Sequence, residues 1–233
     1  MTTVRELQET LSQSTNEKSR AQGLEQLLSF IHGAVDSNED DDEDPVFQGN
    51  CELASLTAGA ITASLKKSLM VEEIANISSG LECLRAITDD VEDEAVIRSF
   101  AKGGDLASCA VDVLSESMLA SDDPDDEEEL EKMRWTALVC DILNELGAIE
   151  GAIDLGASSK TKKLGNLLIS SPFHPNSSSS AIEALSDISS QAAVLIKAPN
   201  FVDKLIKVIT SIDTSTEDGA EVRVFEERSD GAA

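Results

Sequence analysis

Apolar residues in this chain recur at spacings of three and four, and the same short pattern closes four separate stretches. Such spacing places side chains on one face of an α-helix, so each stretch predicts an amphipathic helix with one buried face. The stretches follow one another at intervals of 56, 59 and 42 residues, and each longer interval contains an acidic insertion. They are LLSFIH (Leu27 to His32), CLRAIT (Cys83 to Thr88), ILNELG (Ile142 to Gly147) and ALSDIS (Ala184 to Ser189).

The segments between these stretches predict further helices. Val4 to Leu11 predicts a short opening helix that caps one end, and Ser14 to Ser19 is polar enough for a hinge. A first repeat helix is predicted over 21–33. The next helix, over 52–69, carries an apolar stripe of Leu53, Leu56, Ala60, Ile61 and Leu65. Later come two helices separated by a break at Gly103 and Gly104, a helix with the single Trp135, and a further helix pair separated at Gly156.

These elements predict three parts of the chain. Residues 1–20 form the cap helix and hinge, 21–211 the helical repeats, and 212–233 a polar, acidic tail without apolar periodicity, which is typical of disorder. Within the repeats we expect acidic loops at 36–44 and 120–131 and a Ser/Pro-rich loop at 171–180, with Ser180 as a helix N-cap.

Composition agrees with helices packed on helices. Hydrophobic residues make up 41% of the 233 residues, but there are only six Phe, one Trp and no Tyr. An interior of Leu, Ile, Val and Ala suits helical packing better than a β-sandwich. The sequence therefore predicts an all-α fold.

Net charge narrows the range of partners. Eighteen basic and 45 acidic residues give a formal charge of −27, which repels phosphate backbones and anionic membranes and attracts basic protein segments. No stretch of 18 apolar residues and no signal peptide are evident. We expect no nucleic acid or membrane partner, and a cytoplasmic location, with a nuclear one as the alternative.

No motif indicates an enzyme or a metal site. The EF-hand pattern fails at the first acidic run, where Pro45 and Cys51 replace the required Gly and Glu. It fails at the second, where Glu128 and Arg134 stand at those positions. The two histidines and four scattered cysteines do not form a zinc pattern, and nucleophile, nucleotide and hydrolase motifs are absent. We expect no catalytic residues, metal or cofactor, and reduced, buried thiols.

The repeats resemble the armadillo family. ALSDIS is similar to the end of the third armadillo helix, IDLGA (Ile153 to Ala157) to the junction of the first and second helices, and LLISS (Leu167 to Ser171) to the end of the second. The resemblance covers residues 21–211, and a period of 40 to 47 residues is typical of armadillo and HEAT arrays. It implies a short right-handed α-solenoid of three to four repeats, whose third helices line a concave surface that binds extended peptides.

The resemblance also locates a candidate binding face. Nuclear import receptors of this family carry a Trp and an Asn on each third helix. The matched Trp positions here hold Gln26, Glu82, Asp141 and Glu183, and the matched Asn positions hold Phe30, Ala86, Glu145 and Asp187. The import-receptor ladder is thus replaced by carboxylates, and the candidate partner-binding residues are Glu82, Asp141, Glu145, Glu183 and Asp187.

Three functions follow as hypotheses. The first is a non-enzymatic interaction module or adaptor that binds a basic partner segment on this acidic face. The second, by analogy with short armadillo-type proteins, is an exchange factor or co-chaperone for an Hsp70 or a small GTPase. The third is an acidic, histone-chaperone-like shield of basic proteins. Three questions stay open: whether the carboxylates are only a solvated surface, whether the apolar face of 201–209 contacts the tail, a second copy or a partner, and whether the chain is part of a larger assembly.

Overall fold

The computed structural model describes residues 3–35, 46–117 and 127–153, together with 163, 164 and 167. Within these ranges the secondary structure is entirely helical, which confirms the predicted all-α class. The predicted elements at 36–44, 171–180 and 181–211, and the tail, lie outside the described residues. The helices are α1 Val4–Ser12, α2 Glu17–Val35, α3 Cys51–Met70, α4 Ile74–Asp90, α5 Glu94–Gly104, α6 Leu106–Ser117 and α7 Glu127–Ala148.

Short polar side chains start several of these helices. Thr3 accepts a hydrogen bond from the Glu6 N–H, and the Glu6 carboxylate accepts one from the Thr3 N–H, which forms a capping box on α1. Asn50 caps α3 and Asp93 caps α5 with the side chain alone, which accepts from backbone N–H groups of the first turn. Each cap satisfies a backbone N–H that the first helical turn leaves unpaired, so the sequence determines these starts locally.

The α5–α6 break falls one residue beyond the predicted glycine pair. Asp105 adopts a left-handed conformation (φ 47°), and its N–H donates to the carbonyl oxygens of Ala101 and Lys102. Gly103 and Gly104 instead allow close approach to α3. A Cβ on Gly103 would lie 2.2 Å from Ser55 Oγ and 2.6 Å from Ser55 Cα. The glycines therefore serve packing, while Asp105 makes the turn.

The helices pack in two layers. In one layer α4 lies between α2 and α7, and in the other α3 lies between α1 and α5. The layers meet where α3 packs on α4, and α6 packs on α7. One continuous apolar core fills the space between them and includes Trp135, Phe100, Ile61 and Leu65, each almost fully buried. Helix α1 buries Val4, Leu7 and Leu11 against α2 and α3.

Helices α2, α4 and α7 run parallel to one another. Between α2 and α4, Arg20 contacts Glu73 and the Cys83 thiol donates to the Leu24 carbonyl. These contacts join residues 53 and 59 positions apart. Between α4 and α7, the Trp135 indole donates to Ser78 across 57 positions. These separations are close to the intervals of 56 and 59 residues between the first three apolar stretches of the sequence. Those stretches, LLSFIH, CLRAIT and ILNELG, lie in α2, α4 and α7.

Three predicted details were wrong. Helix α2 begins at Glu17, inside the predicted hinge, because the Asn16 side chain accepts from the Ser19 N–H and starts the helix early. Helix α7 begins at Glu127, so the last part of the loop predicted over 120–131 is helical. Glutamate favours helices and is stabilised near a helix N-terminus. Leu56, placed in the buried stripe of α3, is half exposed because Thr57 and Ala58 face the core instead.

Candidate functional site

The outer face of α2, α4 and α7 carries the predicted partner-binding residues. Glu82 lies on α4, and Asp141 and Glu145 lie on α7. Gln26 and Glu145 are exposed, while Glu82 and Asp141 are partly covered. Glu183 and Asp187 lie outside the described residues. The described part of the predicted site is therefore concentrated at the junction of α4 and α7, which we call the α4–α7 seam.

Arginine side chains bridge this seam. Arg134 of α7 donates from Nη2 to Glu82 Oε1 of α4 over 2.6 Å, and its Nη1 lies 3.5 Å from Glu131 Oε1. In the opposite direction, Arg85 Nε of α4 lies 3.6 Å from Asp141 Oδ2 of α7 and 3.8 Å from Asp89 Oδ2. Two of the predicted carboxylates, Glu82 and Asp141, thus already pair with a guanidinium of this chain.

Sequence reasoning missed both arginines. Arg85 stands inside CLRAIT, three residues after Glu82, so its presence on the same face was visible from helical periodicity. Its pairing with Asp141, and that of Arg134 with Glu82, joins residues more than 50 positions apart. Only the lateral register of α4 against α7 determines which side chains meet. The predicted strip is therefore acidic but locally balanced by two cations.

Apolar and small side chains occupy other positions of the face. Phe30 on α2 and Ala86 on α4 stand at the positions matched to the receptor asparagines, and both are half-buried and packed against the core. Ala137 on α7 is also half-buried. Half-buried apolar side chains therefore lie beside the charged ones on this face.

A second ionic cluster lies deeper, between α2 and α4, and we call it the α2–α4 seam. The Arg20 guanidinium donates through Nε to Glu73 Oε2 over 3.0 Å and through Nη2 to Oε1. Ser68 Oγ and Asn76 Nδ2 each donate to Glu73 Oε2 over 2.8 Å, and Asn76 Nδ2 also lies 3.3 Å from the Glu17 carbonyl oxygen. The side chains of Arg20 and Glu73 are only 8% and 11% exposed.

These donors control the ionisation of Glu73. The hydrogen bond from Arg20 contributes most, and with those from Asn76 and Ser68 it lowers the pKa of Glu73 to about 2, although desolvation alone would raise it. Glu73 is therefore ionised at neutral pH. Because its partners come from α2, α3 and α4, the cluster joins both layers of the fold.

Burial keeps three of the four thiols protonated at neutral pH. Cys83, Cys109 and Cys140 are buried, and desolvation raises the pKa of each to about 12. All four cysteines are free, and Cys51 differs from the other three in being only half-buried. Among the described residues, no three His, Cys, Asp or Glu side chains are arranged to hold a metal ion.

A cleft of about 490 Å³ opens where the α5–α6 junction meets the turn after α7. Its charged lining residues are Lys102 and Asp105, and the remaining ones are aliphatic or glycine. Asp105 already directs the backbone turn between the two helices. Among the described residues, the cleft lining contains no cysteine, serine or histidine for nucleophilic chemistry.

Taken together, the described residues define an all-α protein with a charged seam on one helical layer. None of the helices in the described ranges is both long and apolar enough to span a membrane. Comparisons of the chain with models of protein families, with curated proteins and with solved structures found no match.

Proposed function

We propose that this chain is a non-enzymatic interaction module that binds a basic segment of another protein across the outer face of α2, α4 and α7. The observation that carries the proposal is the position of Glu82 and Asp141. They stand on neighbouring parallel helices, and each already contacts a guanidinium from the opposite helix. A surface that binds guanidinium groups of its own chain has the chemistry to bind those of a partner.

We further propose that the helices belong to a short right-handed α-solenoid of armadillo-like repeats. The support is the parallel packing of α2, α4 and α7 at nearly constant sequence offset, because a repeat unit that stacks on its neighbour produces this relation. In such an array the α2, α4 and α7 layer is the concave side. An extended partner segment would then cross several helices in succession.

Overall charge supports association with a basic partner. A net charge of −27 creates a field that attracts cations over a distance of about 10 Å at moderate salt. The field raises the association rate, whereas the carboxylates of the face determine where the partner binds. We therefore expect the affinity to depend on where the carboxylates lie and not only on how many there are.

The test compares two variants of the whole chain with equal loss of charge. One neutralises the face: Glu82, Glu145 and Glu183 to Gln, with Asp141 and Asp187 to Asn. Its matched control neutralises five residues of the first acidic run: Glu39 and Glu43 to Gln, with Asp40, Asp41 and Asp42 to Asn. Binding of a fluorescent nona-arginine peptide is measured by anisotropy at low and moderate ionic strength, with helicity checked by circular dichroism.

We expect the face variant to bind about tenfold more weakly than the wild type, because several contacts of up to about 1 kcal/mol each are removed. The loop variant should lose less affinity. Equal losses in both variants would contradict the proposal and favour a distributed charge shield. Absence of binding by the wild-type chain would reject both.

A further inference from the structure

The arginines of the α4–α7 seam form only weak ion pairs with their carboxylates. The side chains of Arg134 and Arg85 are 57% and 42% exposed, and their partners Glu82 and Asp141 are 27% and 34% exposed. Pairs with this exposure contribute little to stability, since water competes for both charges. Neither arginine is therefore fixed to its carboxylate by a large free energy.

In the part of the chain that the structure describes, the Arg85 guanidinium also lacks a hydrogen bond at one of its nitrogens. Its Nε is shielded from solvent yet has no hydrogen-bond partner among the described residues, although carboxylate oxygens lie 3.6 and 3.8 Å away. A shielded N–H without a partner costs free energy, and release of the side chain into water would recover part of it. Displacement of Arg85 is thus less costly than displacement of a fully bonded arginine.

We propose that Arg85 and Arg134 are internal substitutes for arginine side chains of the partner, and that binding exchanges them. On association, a partner guanidinium takes the position of Arg134 at Glu82 and another takes that of Arg85 at Asp141. The two internal arginines then turn outward into water. This inference rests on the proposed function and specifies its partner as an arginine-bearing segment that competes with the chain's own arginines.

The choice of arginine over lysine follows from the carboxylates. Both carboxylates are partly covered. A guanidinium is more weakly hydrated than an ammonium group, so it loses less hydration free energy when it approaches them. Its planar fork also matches a carboxylate with two parallel donors. The exchange further implies that the internal arginines lower the affinity for the partner, so their removal should strengthen binding.

The experiment uses the whole chain and the same nona-arginine anisotropy measurement. Arg134→Gln and Arg85→Gln each remove one internal competitor, and Arg5→Gln removes the same charge from an exposed position on α1. Arg5 forms no ion pair with a described residue, so this control reports only the change in overall field. Circular dichroism verifies that all three variants keep their helicity.

We expect Arg134→Gln and Arg85→Gln each to bind nona-arginine about two- to fivefold more tightly than Arg5→Gln. We also expect nona-arginine to bind the wild type more tightly than nona-lysine of equal charge. Affinities no higher than that of Arg5→Gln, while the face variant still loses binding, would overturn the exchange and leave the proposed function standing. Equal affinity for the two peptides would overturn the assignment to arginine. Absence of binding by both the wild type and Arg134→Gln would overturn the inference together with the proposed function.

Discussion

The α2–α4 seam and the α4–α7 seam both join parallel helices through arginine and a carboxylate, yet they differ in depth. At the α2–α4 seam Glu73 receives hydrogen bonds from Arg20, Ser68 and Asn76 and is almost covered. At the α4–α7 seam Glu82 is contacted by Arg134, whose guanidinium is largely in water. The same pair of residue types is therefore buried at one seam and largely exposed to solvent at the other.

This difference has an energetic basis. Two charges removed from water are costly, and they are tolerated only where every lone pair and N–H has a partner. In the Glu73 cluster, the carboxylate accepts hydrogen bonds from Arg20, Ser68 and Asn76, which lie on three different helices. The exposed pairs of the α4–α7 seam cost little to form and contribute little to the free energy of unfolding, because the solvent screens them. Variants at the two seams are therefore expected to differ in their effect on the free energy of unfolding.

The largest effect is expected from Glu73→Gln. The change keeps the shape of the side chain but leaves Arg20 buried without a countercharge, which destabilises the protein by about 3 to 5 kcal/mol. Urea denaturation followed by circular dichroism measures the loss. The matched control is Glu82→Gln, the same chemical change at the α4–α7 seam, which should cost less than about 1 kcal/mol. Similar costs for the two variants would remove the distinction between the seams.

Low pH should remove most of the stability that the ionised Glu73 contributes. The folded-state pKa of Glu73 is about 2, below the ordinary value of 4.5. A depressed pKa gives stability that is fully present above the unfolded value and is lost as pH falls from about 4.5 toward 2. We expect the unfolding free energies of the wild type and Glu73→Gln to differ at neutral pH and to converge over this range. A constant difference down to the lowest pH would contradict the assigned ionisation.

A smaller effect is expected where the α4–α7 seam enters the core. The buried Trp135 indole donates to Ser78 Oγ over 2.9 Å, so Ser78→Ala leaves that N–H without its partner. The cost should be about 1 to 2 kcal/mol. The neighbouring variant Ser79→Ala is the control, and it should be neutral or slightly stabilising, because alanine favours the helix. Equal denaturation midpoints for the two variants would show that the indole bond contributes nothing.

The smallest effect is expected from the exposed pair itself. A double-mutant cycle of Glu82→Gln and Arg134→Gln should give a coupling free energy of about 0.2 to 1 kcal/mol, which falls as salt is added. The equivalent cycle of Glu73→Gln and Arg20→Gln should give a much larger value with little salt dependence. A coupling at Glu82 as large as that at Glu73 would mean that the α4–α7 pair is structural.

Much of the helical arrangement was predictable from the sequence. The three-and-four spacing in LLSFIH, CLRAIT and ILNELG indicated helices with one buried face, and their intervals matched the offset between contacting residues in the fold. The starts of α2 and α7 were predicted wrongly because the local sequence signals there are weaker. The cap at Asn16 lies within a polar run, and the start at Glu127 lies within a run of acids that resembles a solvated loop.

The candidate site was only partly predictable. The resemblance to armadillo repeats selected Glu82 on one helix and Asp141 with Glu145 on another, but it carried no information about their neighbours on other helices. Arg85 and Arg134 acquired their roles from the register between α4 and α7. The environment of Glu73 likewise arose from α2, α3 and α4 together, and the sequence contained no sign that this acid would be buried.

The sequence by itself determined the helices, their buried faces, the interval between the apolar stretches and the strongly negative charge, because these depend on periodicity and composition along the chain. Only the tertiary structure decided which charges are paired, how deeply each pair lies, and that Gly103 rather than another residue must pass Ser55. The physical reason is that ion-pair energy and close packing depend on distance and on exclusion of water. Both quantities are determined where separate helices meet.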